Sequence, residues 1–545
     1  MNIGIDFDNT ISRYETLFRK VGMDEGIIDG NWEGKGKTEL RDHLRRQPNG
    51  KKTWMKLQGL VYGKHMQSAE MMSGVANFLL SCKVRDHKIF IVSHKTEYGH
   101  FDTEKISLRY EALKWMETKY FFDPEYFGIN KEDIFFADTR EEKVKKIAQL
   151  KCDWFIDDLP EVFDENIFPS DTKKILFGSY EPELFHNTTI LNSWRKISEK
   201  ILGQRTDKDI TAWLKRMVGE PLKEIKKILG GGNSSVYKVE VSDGKCYALK
   251  YYPTLRLETR LRLKTEFRTF RLLHQYNITN VPKAVKKDDN LNLGLYEWIN
   301  GEYIRNPSND DLGQAIDFVG QLYSLSQRID GNNIARASEA CLSANELVSQ
   351  IEIRLLRLKQ ESKHFQELSA FLENTFESLW ADVKDASISI WPLESRDDIL
   401  PQKKQTLSPS DFGFHNCYKT KDEALTFLDF DYFGWDDPVK LTADFIWHPA
   451  MDLDPKMAAK WEEAMLDLFS DDSDFEDRLK AAMPLYGLRW AMIVLNEFLP
   501  EFAKRRRDAG KSSSYDPKIS RKIQLNKAED ICDKVKVIRS QVIFT

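Results

Sequence analysis

Two aspartates one residue apart close the first apolar run of the chain, in Asn2-Ile3-Gly4-Ile5-Asp6-Phe7-Asp8-Asn9-Thr10. Side chains alternate along a strand, so Asp6 and Asp8 leave on the same side. In a parallel sheet they would sit at the carboxyl edge, where open α/β folds bind ligands. Neighbouring carboxylates repel each other and invite a divalent cation; one can then attack phosphorus while the other handles protons. Hard oxygen donors make Mg²⁺ the fitting ion. Three further groups follow in order. The apolar run Ile89-Phe90-Ile91-Val92 ends in Ser93, a hydroxyl able to bind a phosphoryl oxygen. Lys143 opens a helical stretch and can neutralise charge there. Phe155-Ile156 ends in Asp157-Asp158, a second acidic pair that completes a metal site with Asp6 and Asp8. A lone D-x-D is usually a turn; four groups in this order are not. Lys145, Lys146 and Lys95 are alternatives for the lysine role.

A second set begins with Leu229-Gly230-Gly231-Gly232-Asn233-Ser234-Ser235, flanked by strand-forming residues. Glycines let a backbone approach phosphates, and the amides and hydroxyls of Ser234 and Ser235 can cradle them. Lys250, on the next strand, can pair with nucleotide phosphates, with Glu266 on the following helix as its ion partner. Tyr296-Glu297-Trp298-Ile299 reads as a connecting segment whose backbone at Glu297 and Ile299 can hydrogen-bond adenine. Further on, Asp411-Phe412-Gly413-Phe414-His415-Asn416 and then Leu428-Asp429-Phe430-Asp431 supply a base and two oxygen ligands. Phosphoryl transfer to a hydroxyl needs these parts, with Mg²⁺ and ATP as their complement.

The first set resembles the haloacid dehalogenase superfamily, over about the first 190 residues. That resemblance implies a Rossmann-like phosphatase domain with Asp6 as nucleophile, forming an aspartyl-phosphate, and Asp8 as general acid/base. Ser93 and Lys143 would hold the phosphoryl group, and Asp157, with Asp158, the Mg²⁺. The second set resembles the aminoglycoside phosphotransferase and choline kinase branch of the protein-kinase-like fold, over roughly residues 220–545. It implies Asp411 as catalytic base, Asn416 and Asp429 as metal ligands, and Lys250 on the nucleotide phosphates. The chain departs from that branch at Pro409-Ser410, where the family usually has His-Gly. Asp431, in place of the glycine of protein kinases, argues against a protein substrate.

These residues need two scaffolds. Short apolar runs at Asn2–Phe7, Lys88–Ser93, Ile134–Ala137, Trp154–Asp157 and Lys174–Phe177 alternate with amphipathic stretches. Such alternation predicts a parallel sheet with crossover helices. An insert at about 11–83, rich in helix formers and aromatics, reads as a helical cap over an α/β domain spanning 1–203. A charged helical stretch from Asn192 to Glu224 connects the halves, with the boundary near Gln204-Arg205. Residues 204–545 read as an α+β bilobal kinase-like domain, with a β-rich lobe at about 220–300 and a helical lobe at 301–545, including a helix over Leu257–Gln275.

Composition narrows the partners. A net charge of −5 and a pI near 6.2 give no electrostatic case for nucleic acid or an anionic membrane. Six scattered cysteines with no C-x-x-C argue against a disulfide framework or zinc site and fit a reducing cytoplasm. No apolar run approaches the roughly 18 residues of a membrane span. The basic stretch Lys504–Arg507 reads as a solvated loop. The expectation is a cytoplasmic, bifunctional enzyme acting on a small molecule such as a sugar or sugar phosphate, a pairing that suits surface-polysaccharide supply. Two other readings fit less well: a nucleic-acid end-healing phosphatase/kinase, which lacks a Walker motif, and a nucleotide-binding pseudokinase fused to a phosphatase.

Overall fold

The computed structural model describes residues 1–29, 32, 34, 36–181, 187–203, 206–219, 221–228, 234–252, 261–329, 334–451, 453–500 and 516–542. The chain divides into two compact units, Met1–Pro221 and, in the main, residues 222–545.

The N-terminal unit is built on six parallel strands in the order Ile134–Ala137, Lys88–His94, Asn2–Ile5, Trp154–Asp157, Lys173–Phe177 and Thr188–Leu191. The first strand of the chain is thus central. Its Ile3 and Ile5 are fully buried, as expected of a strand covered on both faces. Gly4 is required there: a Cβ would lie 2.5 Å from the Phe155 ring of the neighbouring strand. The central strand lies between Lys88–His94 and Trp154–Asp157, where the strand order reverses, the place at which open α/β sheets bind ligands at their carboxyl end. The sixth strand, Thr188–Leu191, has little apolar patterning and is not apparent from sequence.

The insert after the first strand forms helices Glu15–Asp24, Gly36–Arg45 and Gly50–Tyr62. Aromatic packing joins them: Phe18 stacks on Trp54 at 5.1 Å, and Tyr14 meets Tyr62 edge-on at 4.9 Å. The insert is shorter than the expected 11–83. Helix Val75–Val84 packs instead on strand Lys88–His94 and helix Trp194–Leu202. The reason is its composition: Val75 through Cys82 are all buried, so no solvent-facing stripe exists.

The second unit opens with five strands in the order Ala284–Asp288, Leu293–Glu297, Cys246–Tyr251, Ser235–Val241 and Leu222–Ile228. The first of these in the chain starts at Leu222, inside the stretch expected to be helical, and helix Arg262–Gln275 starts later than expected. Helices follow, chiefly Asn309–Ser326, Ala344–Ser362, Pro438–Trp447, Pro455–Leu468, Phe475–Val494 and Pro517–Val542. Between them lie the short strands Thr406–Ser408, Cys417–Thr420, Leu425–Phe427 and Gly434–Asp436, which carry the acidic segments on tight connections. Gly230, Gly231 and Gly232, the Gln204-Arg205 boundary and Lys504–Arg507 lie outside the described residues.

Two candidate active sites

In the N-terminal unit, Asp6 follows the central strand, and its N–H donates to the Ile156 carbonyl at 2.9 Å. This bond holds the ends of two adjacent strands together and brings Asp6 beside Asp157. Lys143 enters from helix Arg140–Gln149, whose start is fixed by a reciprocal cap between Thr139 and Glu142. The ammonium of Lys143 lies 2.6 Å from Asp6 Oδ1 and 2.6 Å from Asp157 Oδ2, with all three side chains buried. Of the four lysines weighed for this role, Lys145 pairs with Glu141 at the surface, Lys146 lies over the Phe135 ring, and Lys95 binds Asp8.

Charge here is concentrated and poorly solvated. Burial, with the charges of Asp157 and Asp8 added, outweighs Lys143 and pushes the Asp6 carboxyl up to about 7. Burial and the Asp6 charge likewise raise Asp158 well above the ordinary carboxylate range. Carboxylate oxygens of Asp6, Asp157 and Asp158 lie within 4.8 Å of one another. A hard divalent cation would supply the missing positive charge, so the donor set fits Mg²⁺. Asp8 is not in this group. Both its oxygens accept from Lys95, at 3.1 and 2.8 Å, and Tyr14 donates to it at 2.5 Å. Ser93, on strand Lys88–His94, has its hydroxyl buried with no described partner, as does Thr10. An orphaned hydroxyl beside a cation site suits an oxyanion ligand.

In the second unit, Lys250 on strand Cys246–Tyr251 is buried and lies 2.8 Å from Glu266 Oε2 and 2.5 Å from Asp429 Oδ1. Glu266 is fixed by Tyr252 and by the N–H of Phe430, which donates to its other oxygen at 3.1 Å. Arg262 holds Asp431. Burial and the Asp429 charge nevertheless raise the Asp431 carboxyl to about 7. Asp429 adopts φ 64° and its side chain is 45% exposed, as an accessible ligand must be. The Leu428 N–H donates to the Asn416 carbonyl at 2.8 Å, which ties Asn416 to the Asp429 segment. Asn416 uses its Nδ2 on the Asp411 carbonyl at 3.0 Å, leaving Oδ1 for a cation. These donors also fit Mg²⁺.

Asp411 sits at the head of this segment. Burial would raise its carboxyl, but the His415 imidazole at 2.9 Å, helped by His448 at 3.5 Å, draws it down to about 2. The two imidazoles stack at 3.8 Å with planes 3° apart, so they cannot aim lone pairs at one ion. They act as paired N–H groups facing one carboxylate. Ala450 donates its N–H to Nδ1 of His448, which places that ring's proton on Nε2, toward Asp411.

The family comparison falls on this second unit. Residues 224–474 match the phosphotransferase enzyme family. The match supports a phosphotransferase domain of kinase-like fold over this region. The N-terminal unit lies outside that match. No curated protein matches the chain. Among solved structures, similarity extends to a spectinomycin phosphotransferase in complex with ADP and spectinomycin, at 13% identity, covering 61% of this chain and 99% of that one, with a TM-score of 0.41. It extends also to an ethanolamine kinase of Plasmodium vivax, at 15% identity, 61% and 93% coverage and a TM-score of 0.41. A choline kinase from Streptococcus pneumoniae aligns at 14% identity, over 62% of this chain and 98% of that one, with a TM-score of 0.36. Among the described residues, no helix is long and apolar enough to cross a membrane.

Several residues of the phosphotransferase domain gain definition from the structure. Ser234 and Ser235 stand at the start of strand Ser235–Val241. The Glu297 N–H is taken by the Lys283 carbonyl at 2.9 Å, so at that position adenine could use only the carbonyl; Ile299 follows two residues later in the same connection. Ser410, where the resemblance leads one to expect glycine, adopts φ 69° and is held there by its own contacts. Its N–H donates to Ser408 Oγ at 3.0 Å, its hydroxyl to the Ser338 carbonyl at 2.8 Å, and Lys440 donates to that hydroxyl at 3.2 Å. Sequence reasoning missed Lys440, His448, Arg262, Tyr14 and Lys37. None has a local signature; all but Tyr14, six residues from Asp8, reach their site from a distant segment.

Proposed function

We propose that the chain is a bifunctional enzyme, an Mg²⁺-dependent phosphatase joined to an ATP-dependent small-molecule kinase, acting on a sugar, sugar phosphate or related metabolite. For the kinase, the supporting observation is the convergence of Lys250, Asp429, Asn416 and Asp411 on one segment of the matched domain. For the phosphatase, it is Lys143 bridging Asp6 and Asp157 beside the partnerless Ser93 hydroxyl.

In the phosphatase, an Asp6 oxygen attacks phosphorus, the bond to the leaving oxygen breaks, and an aspartyl-phosphate forms; water then releases phosphate and restores Asp6. Ser93 and Lys143 hold the phosphoryl oxygens, and Asp157 with Asp158 would hold Mg²⁺ beside Asp6. Lys95 and Tyr14 fix the orientation of Asp8 for proton transfer at the leaving side. In the kinase, Asp411 accepts the proton of the acceptor hydroxyl while that oxygen attacks the terminal phosphorus of ATP. Lys250 holds nucleotide phosphates, and Asn416 and Asp429 would hold Mg²⁺. In both sites the ion, when bound, supplies charge neutralisation at the phosphoryl oxygens.

Opposing chemistries on one phosphate would be futile. We therefore infer that the two sites act at different positions of one metabolite, the kinase making a bisphosphate and the phosphatase removing the original phosphate. Incubating the protein with Mg²⁺-ATP and a panel of sugars, sugar phosphates and amino alcohols tests this by mass spectrometry. A bisphosphate that accumulates only in Asp6→Asn, and is absent in Asp411→Asn, is the expected result. Acceptor-independent ATP turnover alone would overturn it.

A further inference from the structure

The phosphatase site contains hydrogen-bond donors that its own chemistry does not use. Lys37, in the first turn of helix Gly36–Arg45, is part-buried where the three helices of the insert converge. Its ammonium lies 5.2 Å from the Phe18 ring centroid and 5.6 Å from that of Tyr62. It donates to the Tyr62 hydroxyl at 2.8 Å and reaches Asn9 Oδ1 only at 3.5 Å. Among the described residues it forms no ion pair, although the charges of Asp158 and Asp8 are felt there. Because Tyr62 accepts from Lys37, its own O–H proton points elsewhere and meets no described acceptor. The Asn9 amide N–H₂ meets none either.

Lys37, Tyr62 and Asn9 therefore form a donor-rich corner next to Asp8, with no acceptor to complete it. The transferred phosphoryl group already has Ser93 and Lys143. A neutral polyol would leave the Lys37 ammonium with only the more distant charges of Asp158 and Asp8 once substrate expels water, which is costly among aromatic rings. An anion would compensate it and accept from all three groups. We propose that Lys37, Tyr62 and Asn9 bind a second anionic group, a carboxylate or further phosphate, on the phosphomonoester that Asp6 attacks. This rests on the phosphatase reading of Asp6, and it specifies a doubly anionic substrate class for that site.

The test measures phosphate release by the full chain with Mg²⁺ and without ATP, so that the kinase is silent. Fructose 1,6-bisphosphate is compared with fructose 6-phosphate, and 6-phosphogluconate with glucose 6-phosphate. The expected preference in kcat/KM for the doubly anionic member is roughly ten- to a hundredfold, the span of one charge-assisted hydrogen bond. The pair that shows it separates a second phosphate from a carboxylate. Lys37→Gln and Tyr62→Phe should each reduce the preference, mainly through KM, and Lys37→Arg should restore it. Equal loss on all four substrates in Lys37→Gln would overturn the proposal, because Lys37 would then grip the transferred group. So would a preference that Lys37→Gln leaves intact, or no preference in the unaltered protein. Failure of the phosphatase reading looks different: p-nitrophenyl phosphate would then give no phosphate release that Asp6→Asn abolishes.

Discussion

Replacing Lys440 by Met tests the buried charge cluster that holds Ser410 beside Asp411. Lys440 is 1% exposed and lies 3.3 Å from Asp436 and 3.0 Å from Asp444, besides holding the Ser410 hydroxyl. Methionine keeps most of the stem but removes the charge. Asp444 retains Arg489 at 3.4 Å and Trp490 at 2.7 Å, whereas Asp436 is left with no described cation within ion-pair reach. Removing one partner of a buried ion pair costs about 3–5 kcal/mol. Burial already carries the Asp436 carboxyl from the ordinary 3.8 to about 6 despite Lys440, so with the cation gone keeping Asp436 ionised costs more still. Its folded pKa lies above its unfolded one, so this penalty is absent below pH about 4 and grows as pH rises through 6. Urea unfolding followed by tryptophan fluorescence should thus show Lys440→Met losing about 3–5 kcal/mol at pH 8 and clearly less at pH 5. Adding Asp436→Asn should recover at least half of the loss. A loss below about 1 kcal/mol at pH 8, an equal loss at both pH values, or no recovery in the double variant would refute the reasoning.

Asp411→Asn should lower acceptor phosphorylation by about 10²–10⁴-fold while leaving ATP binding, read by calorimetry, within a few fold. Lys250→Met should weaken ATP binding and transfer together, because Glu266, Asp429 and Asp431 lose their shared cation; unaltered nucleotide affinity would count against its role. Phosphate release should require Mg²⁺, and Mg²⁺ should raise the thermal transition of the unaltered protein more than that of Asp157→Asn. The Asp6 carboxyl, pushed up to about 7 by burial and ionised only above that pH, must be ionised to attack. The rate should therefore climb as pH rises toward 7, and higher Mg²⁺ should move that limb to lower pH; a limb insensitive to Mg²⁺ would separate Asp6 from the cation.

Much of both sites was legible because each group stands at a strand end or helix start, where local sequence fixes direction. Asp6 is one such case, since a short strand, Asn2–Ile5, ending in an acid places that acid at the sheet edge. Ser93 and Asp157 follow the same logic. Lys143 was ambiguous among four lysines because helical spacing alone does not say which face is buried. In the structure Lys143 is the one of the four that lies between Asp6 and Asp157, which are more than a hundred residues apart from each other in sequence. The extent of the helical insert was overestimated, because helix-forming composition does not distinguish an apolar helix under a sheet from one standing over a crevice. Lys440 and His448 were invisible for a related reason. They lie beyond the acidic motif on helix Pro438–Trp447 and just after it, and only the fold returns that helix to Ser410 and Asp411.

The same physical arrangement occurs in both units. Lys143 lies between Asp6 and Asp157, and Lys250 between Glu266 and Asp429. Burial first, and the repulsion of carboxylates packed this closely second, drive such groups to take up protons, as the elevated Asp6 and Asp431 carboxyls show. A buried ammonium keeps them converged at the spacing that phosphoryl chemistry requires. It also leaves the set short of positive charge, so a phosphate arrives with its cation or not at all. On the proposed function each lysine would be a structural tie and a phosphate ligand at once. A neutral substitution at either position should cost stability and activity together.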